Sequence, residues 1–579
     1  LKKGVKVPEK KLLGQMLLEE GLITEAELKR ALEEQRKTGH FLGRILVDLG
    51  YVSEKDLKRI LSLQAGVEMI DLKNTPIDQK AVEAFPSALA KTYQVMPVRL
   101  EKNVLTLAVG DTLSLNIQDD ISFILGYKTK MVLADEEDIR EMIEKYYGKE
   151  METIDDLIKW LSQDIEEMEE LEAIASQGEY ATITSLEEIA SLPPVVKLFD
   201  LILLQTVRDN ASDIHLEPFE DDFRVRYRVD GVLYDMVHPP KGLAFALFCR
   251  FKIMAGMDIA ERRLPQDGRI EVSVMGRGVD LRVNTVPTVF GECLAIRVLD
   301  RGKTIFELED LGLLPEDMEI IEKVIRKPHG IILATGPTGC GKTTTLYAIL
   351  RKLNTPEVKV ITTEDPVEYM LDGAIQVPIK ESIGLNFAKC LRHILRQDPD
   401  IILVGEVRDY ETAQMAIQAS LTGHLVLSTL HTTDAPTTIM RLIDMNIEPF
   451  LLASTLEAII AQRLVRVLCP KCKEEYRPSK SELLEIGLTE EKAKNMKFYR
   501  AKGCPFCRGG YKGRTGIFEI LLPNEALWDA VSKRRPLGEI REIAIKECKM
   551  RTLLDDGLKK INEGITTIEE VAKEVYGYG

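Results

Sequence analysis

No stretch of the 579 residues approaches the roughly 18 uncharged apolar residues that a membrane-crossing helix needs; the most apolar window, Phe450 to Cys469, is interrupted by Glu457, Arg463 and Arg466. No direct membrane insertion is expected. Positive charge is also in short supply, since 77 Lys and Arg face 93 Asp and Glu for a formal charge of -16. The field of such a chain repels phosphate backbones, and its two Trp offer few platforms for stacking bases. Nucleic acid is therefore not expected as a partner. The basic start, Leu1-Lys2-Lys3-Gly4, leads into no apolar segment, so no secretory signal is read and a cytoplasmic location is expected. Nine Cys are too few and too scattered for a disulfide framework: four form two CxxC pairs, and Cys249, Cys293, Cys340, Cys390 and Cys548 stand alone. What remains is ordinary globular composition, 45% hydrophobic and 29% charged, long enough for roughly three to five domains.

The first of these carries an internal repeat. Leu12 to Gln35 and Phe41 to Gln64 align without gaps, with ten of 24 positions identical. Each copy reads as a short helix, a turn at Gly21 or Gly50, and a second helix opened by Thr24 with Glu27 or Ser53 with Asp56, where the hydroxyl caps free amides. Short apolar runs at 95–100, 104–109 and 130–133 then predict a small α/β unit, closing a domain at 1–148. Acid dominates 149–190, as in Asp164-Ile-Glu-Glu-Met-Glu-Glu-Leu-Glu172, which predicts a solvated helical linker. A second α/β domain over 191–305 is predicted from a helix at 195–209 and strands at 223–229 and 279–286. Alternating strands and helices over 306–579 read as an α/β nucleotide-binding core, with a cysteine module at 466–515.

The sharpest chemical signal is Gly336-Pro337-Thr338-Gly339-Cys340-Gly341-Lys342-Thr343, followed by Thr344 and preceded by an apolar strand at 331–335. This fits the GxxxxGK[ST] phosphate loop: glycines let backbone N–H groups converge on phosphate oxygens, Lys342 adds charge, and the Thr343 hydroxyl is placed to ligate Mg²⁺. Downstream, Asp398-Pro-Asp-Ile-Ile-Leu-Val-Gly-Glu406 reads as a buried strand ending in an acid that organises Mg²⁺ and its waters. Between them, an apolar strand at 358–362 runs into Glu364-Asp365-Pro366-Val367-Glu368, where a second carboxylate would orient the attacking water.

These motifs, together with Thr422-Gly-His424-Leu-Val-Leu-Ser-Thr-Leu-His431, resemble in identity and order the ATPases that drive type II secretion and type IV pilus assembly. The resemblance implies a RecA-like P-loop core with Walker A, Asp, Walker B and His boxes, preceded by an α/β (PAS-like) second N-terminal domain. By position it makes Lys342 and Thr343 ligands of phosphate and Mg²⁺, Glu406 the Mg²⁺-supporting acid, and Glu368 the water-polarising acid with Glu364 as runner-up. His424 and His431 belong to the His box, with a structural role as the alternative for His431. Arg224, Arg226 and Arg228 alternate along one strand and share a face, where guanidiniums without acids would repel unless an anion sits there. One or two of them, or Arg282, are therefore candidate arginine fingers, a solvated strand face being the alternative.

Cys469-Pro-Lys-Cys472 and Cys504-Pro-Phe-Cys507 supply four thiolates suited to one closed tetrahedral zinc site; redox work by one pair is the alternative. Pilus-extension and type II secretion ATPases carry such a site, which retraction ATPases generally lack. The N-terminal repeats resemble the MshEN module that binds cyclic di-GMP: Leu13, Gly14, Leu17, Gly21, Leu28, Leu32 and Gln35 fit its pattern. Its leading Arg is replaced by Leu12 and Phe41, leaving Lys10 or Lys11 as partial substitutes and protein docking as the alternative role. The pilus-assembly branch is thus implied, with type II secretion as the nearest alternative. The implied partners are five further copies in a homo-hexamer, an inner-membrane platform protein and cytoplasmic pilus-machinery proteins, with the motor held peripherally at the inner membrane.

Overall fold

The computed structural model describes residues 13–38, 42–52, 56, 59–60, 62, 67–85, 90, 93, 95–110, 118, 121–122, 127–147, 183–239, 241–274, 277–300, 306–505 and 507–577. Lys10, Lys11, Leu12, Phe41, Ser53, Gln64 and residues 149–182 of the linker predicted at 149–190 lie outside the described residues, as does the side chain of Gln35; the rest of that stretch is not a solvated linker but the helix Ile183–Ala190, whose Leu186, Ile189 and Ala190 are buried in the core. The chain separates into two compact units, Leu1–Gly302 and Lys303–Gly579.

In the first unit, helices Leu13–Glu19, Glu25–Thr38 and Leu42–Asp48 bury Leu17, Ile23, Ala31, Ile45 and Leu46. The predicted cap is present: Glu27 N–H donates to Thr24 Oγ1 (3.3 Å), and Thr24 N–H to the Glu27 carboxylate (2.7 Å). Gly21 and Gly50 make the turns at φ 69° and 71°, a region that costs an L-residue strain. A three-stranded sheet follows, β1 (Met96–Glu101), β2 (Val104–Val109) and β3 (Lys128–Leu133), with β1 antiparallel and β3 parallel to β2. Leu201 and Leu204, on the helix Pro193–Arg208, are buried in the core beneath this sheet. This helix therefore joins the predicted first and second domains, burying Leu201 and Leu204 in the first core and Leu198, Phe199 and Ile202 in the second.

Six antiparallel strands complete the unit: β4 (Asp213–Pro218), β5 (Phe223–Val229), β6 (Val232–Val237), β7 (Gln266–Val274), β8 (Arg277–Thr288) and β9 (Gly291–Asp300), in the order β6-β5-β4-β9-β8-β7. In β5, Phe223, Val225, Tyr227 and Val229 are buried while the three arginines between them are half-buried, so the strict alternation of the sequence is one core face and one polar face.

The second unit holds β10 (Gly330–Thr335), β11 (Val360–Glu364), β12 (Ala374–Pro378), β13 (Ile401–Val404), β14 (Leu425–Leu430), β15 (Leu456–Leu468), β16 (Glu474–Tyr476), β17 (Phe498–Arg500) and β18 (Tyr511–Leu521). Seven of these form one sheet, β12-β11-β13-β14-β10-β15-β18, all parallel except the edge strand β18. Every residue of β10, β11, β13 and β14 is buried, the continuous apolar reading of a parallel sheet covered on both faces. Strand β13 stops two residues before Glu406, so that acid stands on the loop, not on the strand.

Candidate nucleotide site and cysteine cluster

Strands β14, β10 and β13 lie within one stretch of parallel sheet, so their C-terminal loops converge on one edge. Strand β10 runs into Gly336, whose φ is 146° and where an added Cβ would come within 2.6 Å of both Cys340 Sγ and Gln462 O. Only glycine fits that approach. Gly341, at φ 90°, caps the helix Lys342–Leu353, which aims its N-terminal amides and the positive end of its dipole at the loop. Pro337, Thr338 and Gly339 are exposed at the crest, Cys340 is buried beneath them, and Thr343 and Thr344 are half-buried in the first helical turn.

Lys342 is 8% exposed and donates to Gly336 O (2.7 Å) and Pro337 O (3.0 Å). Burial lowers its pKa, since a cation loses hydration there. His431, just beyond β14, stands between the loop and the acid: its Nδ1 is 3.5 Å from Lys342 Nζ and its Nε2 is 3.4 Å from Glu406 Oε2. Arg408 holds the other Glu406 oxygen at 2.5 Å. Lys342, His431 and Glu406 thus form one chain of polar contacts across three loops, and His431, with its side chain 49% exposed, is not a core histidine.

His424 is not brought to this site. It precedes β14, and β14 runs parallel to β10 with Leu425 opposite Gly330 and Leu430 opposite Thr335. Its ring lies against Ala419 O (2.8 Å), at the far edge of the sheet, roughly 20 Å away at the rise of an extended strand. Sharing a motif with His431 does not place it nearby, because the motif spans the whole strand.

Glu364 ends β11 and is 3% exposed. Its carboxylate accepts from the Tyr347 hydroxyl, from Thr362 Oγ1 (2.6 Å) and from Gln376 Nε2 (3.1 Å). Burial and this anion push the Tyr347 phenol pKa far up, so the hydroxyl stays a donor. Glu368 is half-buried on the following loop.

The inference of an anion on the β5 arginines is corrected by the strand beside them. Glu217 of β4 takes Arg226 in a two-point pair (2.7 and 2.8 Å), Asp222 takes Arg224 Nε at 2.7 Å, and Asp213 lies 3.7 Å from Arg228 Nε. Two of these acids come from the neighbouring strand β4 and the third, Asp222, from the turn just before β5, so no external anion is needed to hold the guanidiniums together. Arg282 of β8 stands in a cross-strand row with Arg269 of β7 and Arg297 of β9, two residues the sequence did not single out.

Two further residues escaped the sequence reading: Gln462 and Arg463 of β15. Gln462 Nε2 donates to Cys340 O in the phosphate loop (2.7 Å), and Arg463 NH2 donates to Thr433 O in the loop after β14 (2.7 Å). The visible signal was polarity inside an apolar strand.

The four sulfurs of Cys469, Cys472, Cys504 and Cys507 lie within 4.8 Å of one another. Separations of 3.9 Å (Cys469–Cys504), 3.6 Å (Cys472–Cys507) and 3.5 Å (Cys504–Cys507) match the ~3.8 Å edge of a tetrahedron with ~2.3 Å metal–sulfur bonds. The donor set fits a zinc ion with no open position.

A glycine-rich loop between the first strand and helix of this parallel sheet, facing the acid that follows β13, defines a RecA-like P-loop ATPase. The chain belongs to the type II/IV secretion system protein family, which it matches over residues 188–573. Residues 65–153 match the MshEN domain, a match that begins where the second repeat ends and so falls on the sheet-bearing half of the N-terminal region. The chain is 42% identical over 562 residues to the type IV pilus assembly ATPase PilB of Myxococcus xanthus, covering 96% of this chain and 98% of that one. It is also 42% identical over 562 residues to the type II secretion system protein E of Xanthomonas campestris, covering 96% and 97%. Among solved structures, the pilus retraction motor PilT with bound ADP covers 66% of this chain and 96% of its own at 26% identity and a TM-score of 0.45. No helix among the described residues is long and apolar enough to cross a membrane.

Proposed function

We propose that this ATPase powers type IV pilus assembly at the inner membrane as a homo-hexamer, reaching the membrane through a platform protein and cytoplasmic partners of the pilus machinery. The observation that carries the chemistry is the Lys342–His431–Glu406 chain at the mouth of the phosphate loop. Lys342 and the loop amides hold the β and γ phosphates, Thr343 with Glu406 places Mg²⁺, and Glu368 polarises the attacking water. Glu364 is the weaker choice for that last role because three donors already occupy its carboxylate. Support for the pilus comes from the end-to-end similarity to the Myxococcus protein. The equal identity to the Xanthomonas protein keeps type II secretion as the second reading. Deleting the gene and scoring surface pili against secreted enzymes separates them: loss of pili with secretion intact supports the first, and the reverse replaces it.

The cysteine cluster holds a structural zinc, and the N-terminal region takes cyclic di-GMP, a proposal supported by the MshEN match.

A further inference from the structure

Gln462 and Arg463 are consecutive residues of β15, and their side chains leave opposite faces of the sheet. Gln462 is 2% exposed and makes two bonds on one side: Nε2 donates to Cys340 O (2.7 Å), and Oε1 accepts from Thr345 Oγ1 (2.8 Å). It joins the phosphate loop to the first turn of the helix that follows it. The loop has no slack there, because Gln462 O already lies 2.6 Å from where a Gly336 side chain would begin. Arg463 is 7% exposed; NH1 donates to Gln462 O (2.9 Å) and NH2 to Thr433 O (2.7 Å). Thr433 lies two residues past His431, on the same loop. Burial pushes the Glu574 carboxyl of the C-terminal helix up, and the Lys573 and Arg463 charges pull it partly back down.

The geometry points to Gln462 and Arg463 as a paired positioning device for ATP hydrolysis, in which Gln462 shapes the phosphate loop for nucleotide binding and Arg463 holds the His431 loop for turnover. The hydrogen bonds of both side chains go to protein atoms, so each acts through the loop it grips. A pivot of this kind is economical because one strand register fixes both loops: a shift of β15 along β10 moves the phosphate loop and the histidine loop together. The inference rests on the assignment of the P-loop, and Lys342→Ala is the control for that assignment.

The test is steady-state kinetics on the full chain, with melting temperature recorded for each variant. Gln462→Ala leaves Cys340 O and the Thr345 hydroxyl without their partner, and KM for ATP rises about tenfold or more while kcat stays within about threefold. Arg463→Gln frees Thr433, and kcat falls about tenfold or more with KM within about threefold. Arg463→Lys, which keeps the charge and one donor atom in place of two, recovers part of kcat. Parental constants in either alanine or glutamine variant, equal changes in both constants, or a lysine variant no better than glutamine would overturn the proposal. Hydrolysis surviving in Lys342→Ala would instead overturn the P-loop assignment.

Discussion

Glu519 is a carboxyl that the fold makes expensive to ionise. It sits on β18 at 5% exposure, where burial is the main cause that pushes its pKa from 4.5 up to about 7. The Ala435 N–H, donated to Oε1 at 2.8 Å, and the Arg541 charge pull it down, while Asp434 pushes it further up. A carboxyl raised on folding binds a proton that the unfolded chain has released, so the penalty is absent below about pH 4.5 and complete above about pH 7. That range is worth about 3 kcal/mol at roughly 1.4 kcal/mol per pH unit, of which about 2 kcal/mol develops between pH 5.5 and 8.5. Glu519→Gln removes the charge and keeps an oxygen for Ala435. Relative to the parent, it should therefore gain about 2 kcal/mol on moving from pH 5.5 to 8.5, whatever constant offset the amide introduces where the Leu553 N–H also donates to this carboxylate. Urea denaturation read by Trp528 fluorescence, in a Trp160→Phe background, measures this; Trp528 packs against the core of the same unit. An offset between variant and parent that is the same at both pH values would refute the reasoning.

Lys342→Ala should abolish ATP hydrolysis in a phosphate-release assay. Because Lys342 is buried and donates to Gly336 O and Pro337 O, the melting temperature of this variant should shift as well. Glu368→Gln should retain nucleotide binding and slow turnover roughly 10²- to 10⁴-fold, the usual range for losing an acid or base; parental turnover there, with Glu364→Gln dead, moves the role to Glu364. Cys504→Ser should release zinc by elemental analysis and lower the melting temperature, since a structural site's binding energy is folding energy. Zinc at full occupancy in that variant, or none in the parent, removes the structural-metal assignment. Calorimetry on the full chain should detect cyclic di-GMP binding weakened roughly ten- to a hundredfold by the missing leading Arg, and absence of heat at high micromolar ligand leaves only the docking role.

Local chemistry was legible wherever it depends on residues close in sequence. The phosphate loop needs glycines at positions 336 and 341 next to Lys342, the Thr24–Glu27 cap needs a spacing of three, and strands such as 104–109 and 223–229 announce themselves through apolar residues at successive or alternate positions. Those features are fixed by backbone conformation over a few residues, which one stretch of sequence specifies. The tetracysteine cluster was legible too, because four soft ligands in two pairs have few other uses.

Distance along the chain hid the rest. The sequence placed His424 and His431 in one motif, but a six-residue strand holds them at opposite ends of a sheet, and only the parallel register of β10 and β14 shows which one meets Lys342. It displayed Arg224, Arg226 and Arg228 as an uncompensated row, because only the β4–β5 register brings Glu217 to Arg226 and Asp213 to Arg228; Asp222, two residues from Arg224, was within local reach and was overlooked. It ranked Glu368 above Glu364 by family resemblance alone, and the physical ground came from Tyr347 and Gln376, brought in from a helix and the neighbouring strand β12, which occupy the Glu364 carboxylate. The sequence determined which residues were equipped for nucleotide and metal chemistry, because those properties are local. Tertiary structure decided which of them meet and which are already partnered, because charge pairing and strand register are settled between segments that no local pattern joins.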